Sequence, residues 1–178
     1  MAVWEADDQD PGFQLARNGF VTKFHSAAVV DESLASFRSA GYRVVRLDTA
    51  SWTDEADLHE ALSTALDFPA YYGRNFSALS DCLQDVAEQA YGWTKADTGL
   101  IIELDHLDRF RATMPAACRI LLDILVDTAR LGALLGNRIL CVIRSDDPLL
   151  DVGPVGGAEP PWSPCEWLLS DRVDGAAP

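Results

Sequence analysis

Two carboxylates, Asp81 and Asp85, stand four positions apart in a stretch with helical periodicity. Residues at this spacing lie on one face of a helix, so the two carboxylates are expected to be neighbours. A buried pair could act as general acid and base, because burial separates the pKa values of adjacent carboxyl groups. An exposed pair is instead a charged helix face that water or a protein partner contacts. Asp123 and Asp127 repeat the spacing in a more apolar stretch, where we expect them at the rim of a helix.

Motifs for enzymatic catalysis are absent from the sequence. The chain has neither a Gly-x-Ser-x-Gly turn, which presents a nucleophilic serine, nor a Gly-x-x-x-x-Gly-Lys-Ser/Thr loop, which binds phosphates. The histidines and cysteines stand singly, without the spacing of a zinc site. They are His25, His59, His106, Cys82, Cys118, Cys141 and Cys165. We therefore predict that the chain is not an enzyme and has no catalytic residues, no cofactor and no metal site.

The composition favours a basic protein partner. The 178 residues include 28 Asp and Glu against 14 Lys and Arg, a formal net charge of -14. Such a surface repels the phosphates of nucleic acids and speeds the approach of a basic protein, although the same charge also serves solubility. No apolar run reaches the length of a membrane span, and the N-terminus lacks the pattern of a secretory signal. We expect a cytoplasmic protein that binds neither nucleic acid directly nor a membrane.

The carboxylates Asp81 and Asp85 belong to a loop and helix that run from Phe68 to Val86. Pro69 ends the preceding helix, two tyrosines and Gly73 form a tight loop, and Asn75 can cap the next helix. Gly73 is expected to supply an unusual φ angle. The apolar residues of the new helix recur on one face, at Phe76, Leu79, Leu83 and Val86. The opposite face is polar and acidic, with Ser77, Asp81, Gln84, Asp85 and Glu88.

The remaining elements predict an α/β fold with a small parallel sheet of about three core strands packed by helices. The strands are expected at residues 42–47, 99–104 and 139–143. A long helix before the third strand is apolar on much of its circumference, including Leu131, Leu134 and Leu135, and is expected to be deeply packed. We divide the chain into an acidic tail (1–12), a single domain (13–150, core 42–145) and a Gly/Pro-rich C-terminal extension (151–178).

An additional N-terminal β-hairpin is predicted from Arg17-Asn18-Gly19. This tripeptide separates two apolar runs, 13–16 and 20–24. Asn-Gly between such runs is a strong hairpin signal, because both residues accept a positive φ.

The central stretch resembles the signature of the barstar family, small intracellular inhibitors of barnase-type ribonucleases. From Pro69 to Leu83 the chain reads Pro-x-Tyr-Tyr-Gly-x-Asn-x-x-Ala-Leu-x-Asp-Cys-Leu. Wider similarity includes Asp57-Leu58-His59 and the later strands and helix, so the resemblance covers roughly residues 42–145. It implies that an acidic helix and the adjoining loop cover a ribonuclease active site, with carboxylates where RNA phosphates would lie. Asp81 matches the family's central aspartate, and Tyr71 matches the tyrosine that stacks on the enzyme.

The resemblance implies a partner-binding face and a basic extracellular or toxin-type ribonuclease as partner, with the chain as its antitoxin or immunity protein. The residues expected on this face are Tyr71, Arg74, Asn75, Ser77, Ser80, Asp81, Gln84 and Asp85. Several positions depart from the prototype of the family. Ser77 and Ser80 replace an aspartate and a tryptophan, Gln84 replaces a threonine, and Leu131 and Leu135 align with two glutamates. An interaction module of the same fold without a ribonuclease partner is the alternative.

Overall fold

A four-stranded parallel sheet forms the centre of the protein. The computed structural model describes residues 10–17 and 19–173. The strands are β1 (Val21–Phe24), β2 (Arg43–Asp48), β3 (Leu100–Asp105) and β4 (Ile139–Arg144), and their order across the sheet is β1-β4-β3-β2. Every residue of β1 and β4 is buried, as is typical of parallel strands that are covered on both faces. The predicted α/β fold, with its three core strands β2, β3 and β4, is confirmed.

Helices cover both faces of the sheet. They are α1 (Pro11–Ala16), α2 (Ala27–Ser39), α3 (Glu55–Ala65), α4 (Phe76–Ala87), α5 (Leu107–Thr113), α6 (Pro115–Leu135) and α7 (Leu169–Val173). The larger hydrophobic core lies between the sheet and α3 to α6, and a smaller core lies under α1 and α2. Adjacent residues of β3 point to opposite faces of the sheet, so that Ile101 packs in the smaller core and Ile102 packs in the larger one. Among the described residues, no helix combines the length and the apolar character that a membrane crossing requires.

The predicted N-terminal β-hairpin is wrong. The first of its two runs lies in helix α1, and the second contains strand β1, which pairs in parallel with β4 from Val21 opposite Cys141. Asn18 lies outside the described residues. The Asp-Pro pair at positions 10 and 11 is itself a helix-start signal, since the Asp10 side chain accepts a hydrogen bond from Gly12 N at 2.7 Å and proline suits the first turn. This cap and the free edge of β4 together outweigh the local Asn-Gly signal.

The two ends of the described chain are attached to the domain. Most of the predicted acidic tail lies outside the described residues, but Asp10 accepts hydrogen bonds from the Tyr42 hydroxyl (2.5 Å) and Arg138 Nη1 (2.6 Å). In the C-terminal extension, Trp162 forms a parallel bridge with Lys23 of β1. The extension therefore lies along the outer edge of the sheet.

Candidate functional site

Asn75 sets the start of helix α4, as the sequence predicts. Its side-chain oxygen accepts a hydrogen bond from Ala78 N at 2.9 Å, and its Nδ2 donates to Gly73 O at 3.1 Å. The cap satisfies a backbone N–H that the first turn of a helix leaves without a partner. Leu79 and Leu83 lie on one side of the helix and are completely buried. The opposite side is therefore held at a fixed orientation towards solvent.

The residue with the unusual φ in this loop is Arg74 and not Gly73. Arg74 has a φ of 49°, in the left-handed region that side chains rarely adopt. At Gly73, which has no positive φ, an added Cβ would lie 3.2 Å from Asn75 Nδ2, a tight contact with the capping side chain. The guanidinium of Arg74 turns to α3, where Nη2 lies 2.5 Å from Glu60 Oε2. Arg74 thus braces the loop against α3.

The two tyrosines of the loop have opposite environments. Tyr71 is 81% exposed. Tyr72 points inwards, where its hydroxyl and His59 Nδ1 are hydrogen-bonded at 2.5 Å and its ring packs edge-on against Phe68. Burial raises the pKa of Tyr72 to about 12. Tyr72 anchors the loop, and the ring of Tyr71 is exposed to solvent.

The outer face of α4 is exposed and acidic. Ser77, Asp81, Gln84 and Glu88 are exposed, and Ser80 is half-buried. Within residues 10–17 and 19–173, the Asp81 carboxylate makes no hydrogen bond or ion pair with another residue. Helix α4 also contains no lysine or arginine. Asp81 is therefore a carboxylate whose hydrogen-bonding capacity is available to another molecule.

Asp85 has a different role from Asp81. It is half-buried, and the Tyr91 hydroxyl donates at 3.1 Å to both Asp85 Oδ2 and the Cys82 carbonyl. Burial, followed by these hydrogen bonds, raises the pKa of Tyr91 and keeps its phenol protonated. With Asp81 exposed and Asp85 bound to a tyrosine, the two do not form the buried pair that acid–base chemistry would need. Sequence reasoning missed Tyr91, because a tyrosine in a polar loop does not reveal which carboxylate it will reach.

Helix α6 lies beside α4 and ends in exposed leucines. Asn137, just beyond α6, donates from Nδ2 to Ala87 O at the end of α4 at 2.7 Å. Leu131 is half-buried, whereas Leu135 is 50% exposed and Leu134 is 85% exposed. The prediction that this helix is deeply packed is therefore wrong for its last turn. Apolar periodicity alone could not show which side of this helix the rest of the chain leaves uncovered.

The described residues contain no group of three or more His, Cys, Asp or Glu that could hold a metal ion. Three of the four cysteines, Cys82, Cys118 and Cys141, are buried as free thiols. Burial raises the pKa of Cys118 to about 12, so that this thiol stays protonated and packs as a small apolar group.

A protein-family model described as "Barstar (barnase inhibitor)" matches residues 42–144, more than half of the chain. The chain belongs to the barstar family. The matched region runs from the residue before β2 to the end of β4 and contains α4, the loop before it and α6. Helices α1 and α2, strand β1 and the C-terminal extension lie outside it.

A curated relative of this barstar-family chain comes from Bacillus subtilis (strain 168) and carries the name "Putative ribonuclease inhibitor YrdF". The two are 36% identical over 61 residues, 34% of this chain. The aligned part spans 59% of the length of that relative.

Proposed function

We propose that this chain is a cytoplasmic inhibitor of a basic ribonuclease, which it blocks with the outer face of α4 and the loop before it. The observation that carries the proposal is the exposed Asp81 carboxylate, which has no partner among the described residues and lies on a helix face without any cation. Membership of a family described as barnase inhibitors supports it, and so does the name of the curated relative. Asp81 would occupy the place of an RNA phosphate.

Elementary electrostatics supports this mode of binding. A ribonuclease binds phosphate with Arg, Lys and His side chains, and a carboxylate can form charge-assisted hydrogen bonds with the same groups. The exposed ring of Tyr71 supplies apolar area that loses little conformational freedom on binding. The net charge of -14 steers a basic enzyme towards the inhibitor and repels its RNA substrate.

The predicted site residues divide into contacts and supports. Five of them are proposed to touch the enzyme: Tyr71, Ser77, Ser80, Asp81 and Gln84. The other three hold the face in place. Arg74 braces the loop on Glu60, Asn75 caps α4, and Asp85 accepts a hydrogen bond from Tyr91.

Inhibition assays test the proposal directly. The purified chain is titrated into a panel of secreted bacterial ribonucleases, with barnase as reference, and the cleavage of a fluorogenic RNA is followed. For the enzyme that is inhibited most strongly, Asp81→Asn should raise the inhibition constant roughly tenfold to hundredfold, the loss expected for charge-assisted hydrogen bonds. Glu32→Gln is the matched control, because it removes the same charge from an exposed position on α2, across the sheet. Equal inhibition constants for the two variants would contradict the assigned face.

The antitoxin role has its own readout. Co-expression of the chain with the ribonuclease that it inhibits should restore growth of the host, and Asp81→Asn should restore it less. The alternative function, a protein–protein interaction module without a ribonuclease partner, is favoured by the short side chains of Ser77 and Ser80 on the α4 face. Failure to inhibit any enzyme of the panel, together with a pull-down that recovers only non-nuclease proteins, would support that alternative.

A further inference from the structure

We infer that the chain has a second docking surface, at and beside its C-terminal extension, which receives a basic amphipathic helix of another protein. The surface lies outside residues 42–144, the range that the family model matches, and the inference does not depend on the proposed function. Its main part is an exposed group of side chains, called here the C-terminal apolar patch: Leu149, Trp167, Leu168, Leu169 and Val173.

The first observation is the exposure of the C-terminal apolar patch. It contains five of the nine large apolar side chains that are exposed among the described residues. Trp167 is 69% exposed and Leu149 is 64% exposed, and the other three are exposed over about half of their surface. Leu169 and Val173 are four residues apart in α7, so they lie on one side of it. A concentration of exposed apolar side chains marks an interaction site, whereas scattered surface leucines do not.

The buried side chain of Arg172 joins the two parts of the patch. Its Nε donates to Pro148 O at 2.9 Å, and its Nη1 donates to Trp167 O at 2.9 Å. Its Cζ lies 4.2 Å from the ring centroid of Trp162, on which the guanidinium stacks. The backbone next to Leu149 and the backbone of Trp167 are therefore held by one side chain, and the patch has a fixed frame.

A groove of about 480 Å³ runs between helices α1 and α2 and the C-terminal extension. Val29 and Phe37 line it from α2 and are eight residues apart, so the groove follows this helix for about two turns. Pro164 lines it from the extension, three residues before Trp167. The nearby edge of β1 is already paired with the extension, so a partner meets side chains and not free backbone groups. An elongated apolar surface of this kind suits a helix better than an added strand.

The charges around the patch select the chemistry of the partner. Residues 145–173 include six Asp and Glu but a single arginine, Arg172, which is buried. Two of the carboxylates are exposed at the patch itself, where Asp147 accepts a hydrogen bond from Leu149 N at 2.9 Å and Asp171 accepts one from Leu168 N at 3.2 Å. The surface is therefore apolar with an acidic border, and its cation is turned inwards.

A basic amphipathic helix satisfies both requirements of this surface. Its apolar stripe would cover the patch and the groove, and its lysines or arginines would pair with Asp147, Asp171 and Glu32, which is exposed beside the groove. A second copy of the chain would instead bring two acidic borders together, with a net charge of -14 on each molecule. The surface of an anionic membrane would be repelled in the same way.

Binding of a synthetic peptide to the full chain tests the inference. The probe is a fluorescein-labelled peptide of leucine and lysine, about 18 residues or five helical turns long, whose leucines lie on one face. Fluorescence anisotropy should show saturable binding. A peptide of the same composition without an apolar face, and a peptide with glutamate in place of lysine, should each bind at least about tenfold more weakly.

Substitutions locate the bound peptide on the surface. Trp167→Ala should raise the dissociation constant at least about tenfold, because it removes the largest apolar contact, and Leu169→Ala should raise it less. Leu134→Ala is the matched control, since Leu134 is an exposed leucine (85%) on α6. Asp171→Asn keeps an acceptor for Leu168 N and should raise the constant about two- to fivefold at low salt. At about 0.5 M salt this loss should shrink, whereas the loss in Trp167→Ala should persist.

Three results would overturn the inference. The first is the absence of saturable binding, or equal dissociation constants for Trp167→Ala, Leu169→Ala and Leu134→Ala. The second is a wild-type dimer in sedimentation velocity that Trp167→Ala dissociates, which would make a second copy the occupant. The third is weaker ribonuclease inhibition by Trp167→Ala, which would place the patch in the inhibitory surface.

The peptide assay also separates this inference from the proposed function. Saturable peptide binding that Trp167→Ala weakens, without inhibition of any ribonuclease, would leave the docking surface standing while the proposed function fails. Inhibition without peptide binding would have the opposite meaning. Unchanged circular dichroism and melting of the variants, expected for exposed positions, verify that each one is folded.

Discussion

At the scale of single residues, Glu103 is a carboxylate buried within the sheet. Its side chain has no exposed surface and forms an ion pair with Arg46, whose Nη1 also donates to Asp31 Oδ1 at 2.8 Å. The planar guanidinium of arginine can serve two carboxylates at once. Burial nevertheless raises the pKa of Glu103 above its ordinary value of 4.5, because desolvation outweighs the pairing with Arg46.

The raised pKa predicts a pH dependence of stability. Because the folded state binds the proton of Glu103 more tightly than the unfolded state, this contribution to stability is full below about pH 4.5 and is lost as the pH rises through the folded pKa. Glu103→Gln removes this effect. The unfolding free energy of the variant, relative to wild type, should therefore increase from about pH 4.5 to pH 8 in urea titrations.

Glu32→Gln serves as the control for this measurement, because Glu32 is exposed on α2. It makes the same change of carboxylate to amide at a solvent-exposed position, so the difference between the two variants isolates the effect of burial. A Glu103→Gln profile that matches that of Glu32→Gln would show that Glu103 is not desolvated in the folded state.

At the scale of elements, His59 joins helix α3 to the loop and to α4. It is buried, contacts the Tyr72 hydroxyl through Nδ1 and packs against the ring of Phe76. Its Nε2 is buried without a hydrogen-bond partner among the described residues. Burial is the main cause that lowers its pKa below 6.5, with Glu55 opposing and Arg74 adding to the shift.

Acid is therefore expected to weaken this junction. A histidine with a lowered folded pKa contributes stability that is present above its unfolded pKa of 6.5 and is lost as the pH falls through the folded value. His59→Gln keeps a side chain that can hydrogen-bond Tyr72 but does not titrate. Between about pH 7.5 and pH 5 its unfolding free energy should fall less than that of the wild type.

His106→Gln is the comparison variant for His59→Gln, since it replaces a histidine outside this junction. His106 is only partly buried, and its Nδ1 lies 2.8 Å from Asp48 Oδ1. Tyrosine fluorescence or hydrogen exchange of the loop should show the same difference between His59→Gln and the wild type at the loop itself. If His59→Gln loses stability in acid as steeply as the wild type, the titration of His59 does not control this junction.

Local signals predicted the elements well, and long-range contacts explain the errors. The cap of Asn75, the apolar face of α4 and the three core strands follow from neighbouring residues, and the structure bears them out. The hairpin was wrong because the partner of β1 is β4, which lies more than a hundred residues away. The resemblance supplied Asp81 and Tyr71, but the pairing of Asp85 with Tyr91 depends on how a loop folds back. Side-chain partners across loops are not encoded in periodicity.

At the scale of the whole molecule, the segments outside residues 42–144, the range that the family model matches, add strand β1 to the sheet and cover the outer edge of that strand. Strand β1 adds to β4, and the extension then pairs with β1, since Lys23 N donates to Pro161 O at 2.8 Å and Ser163 N donates to Lys23 O at 2.7 Å. An unpaired edge strand would invite association with other chains. The additions occupy this edge and the second face of the sheet, and they leave the outer face of α4 uncovered.

Glu166 ties the C-terminal extension to the N-terminal elements. Its carboxylate accepts hydrogen bonds from His25 N (3.0 Å) and Ser26 N (2.7 Å), at the corner between β1 and α2. Its own carbonyl accepts from Arg172 Nη1 at 2.5 Å, which fixes the end of the extension. Glu166 is buried, so its loss would leave two backbone N–H groups at this corner without a partner.

Glu166→Ala should therefore lower the unfolding free energy by about 1.5–3 kcal/mol, the range for hydrogen bonds to charged groups, as measured by urea denaturation. Glu159→Ala is the control, because Glu159 is largely exposed and its ion pair with Lys23 is long, at 4.0 Å, so it should cost at most about 1 kcal/mol. Equal losses in the two variants would contradict a linking role for Glu166.

Inhibition by folded Glu166→Ala should match the wild type, because the corner at Ser26 lies on the other side of the sheet from α4. A loss of inhibition without a loss of stability would instead place the C-terminal extension in the partner-binding surface.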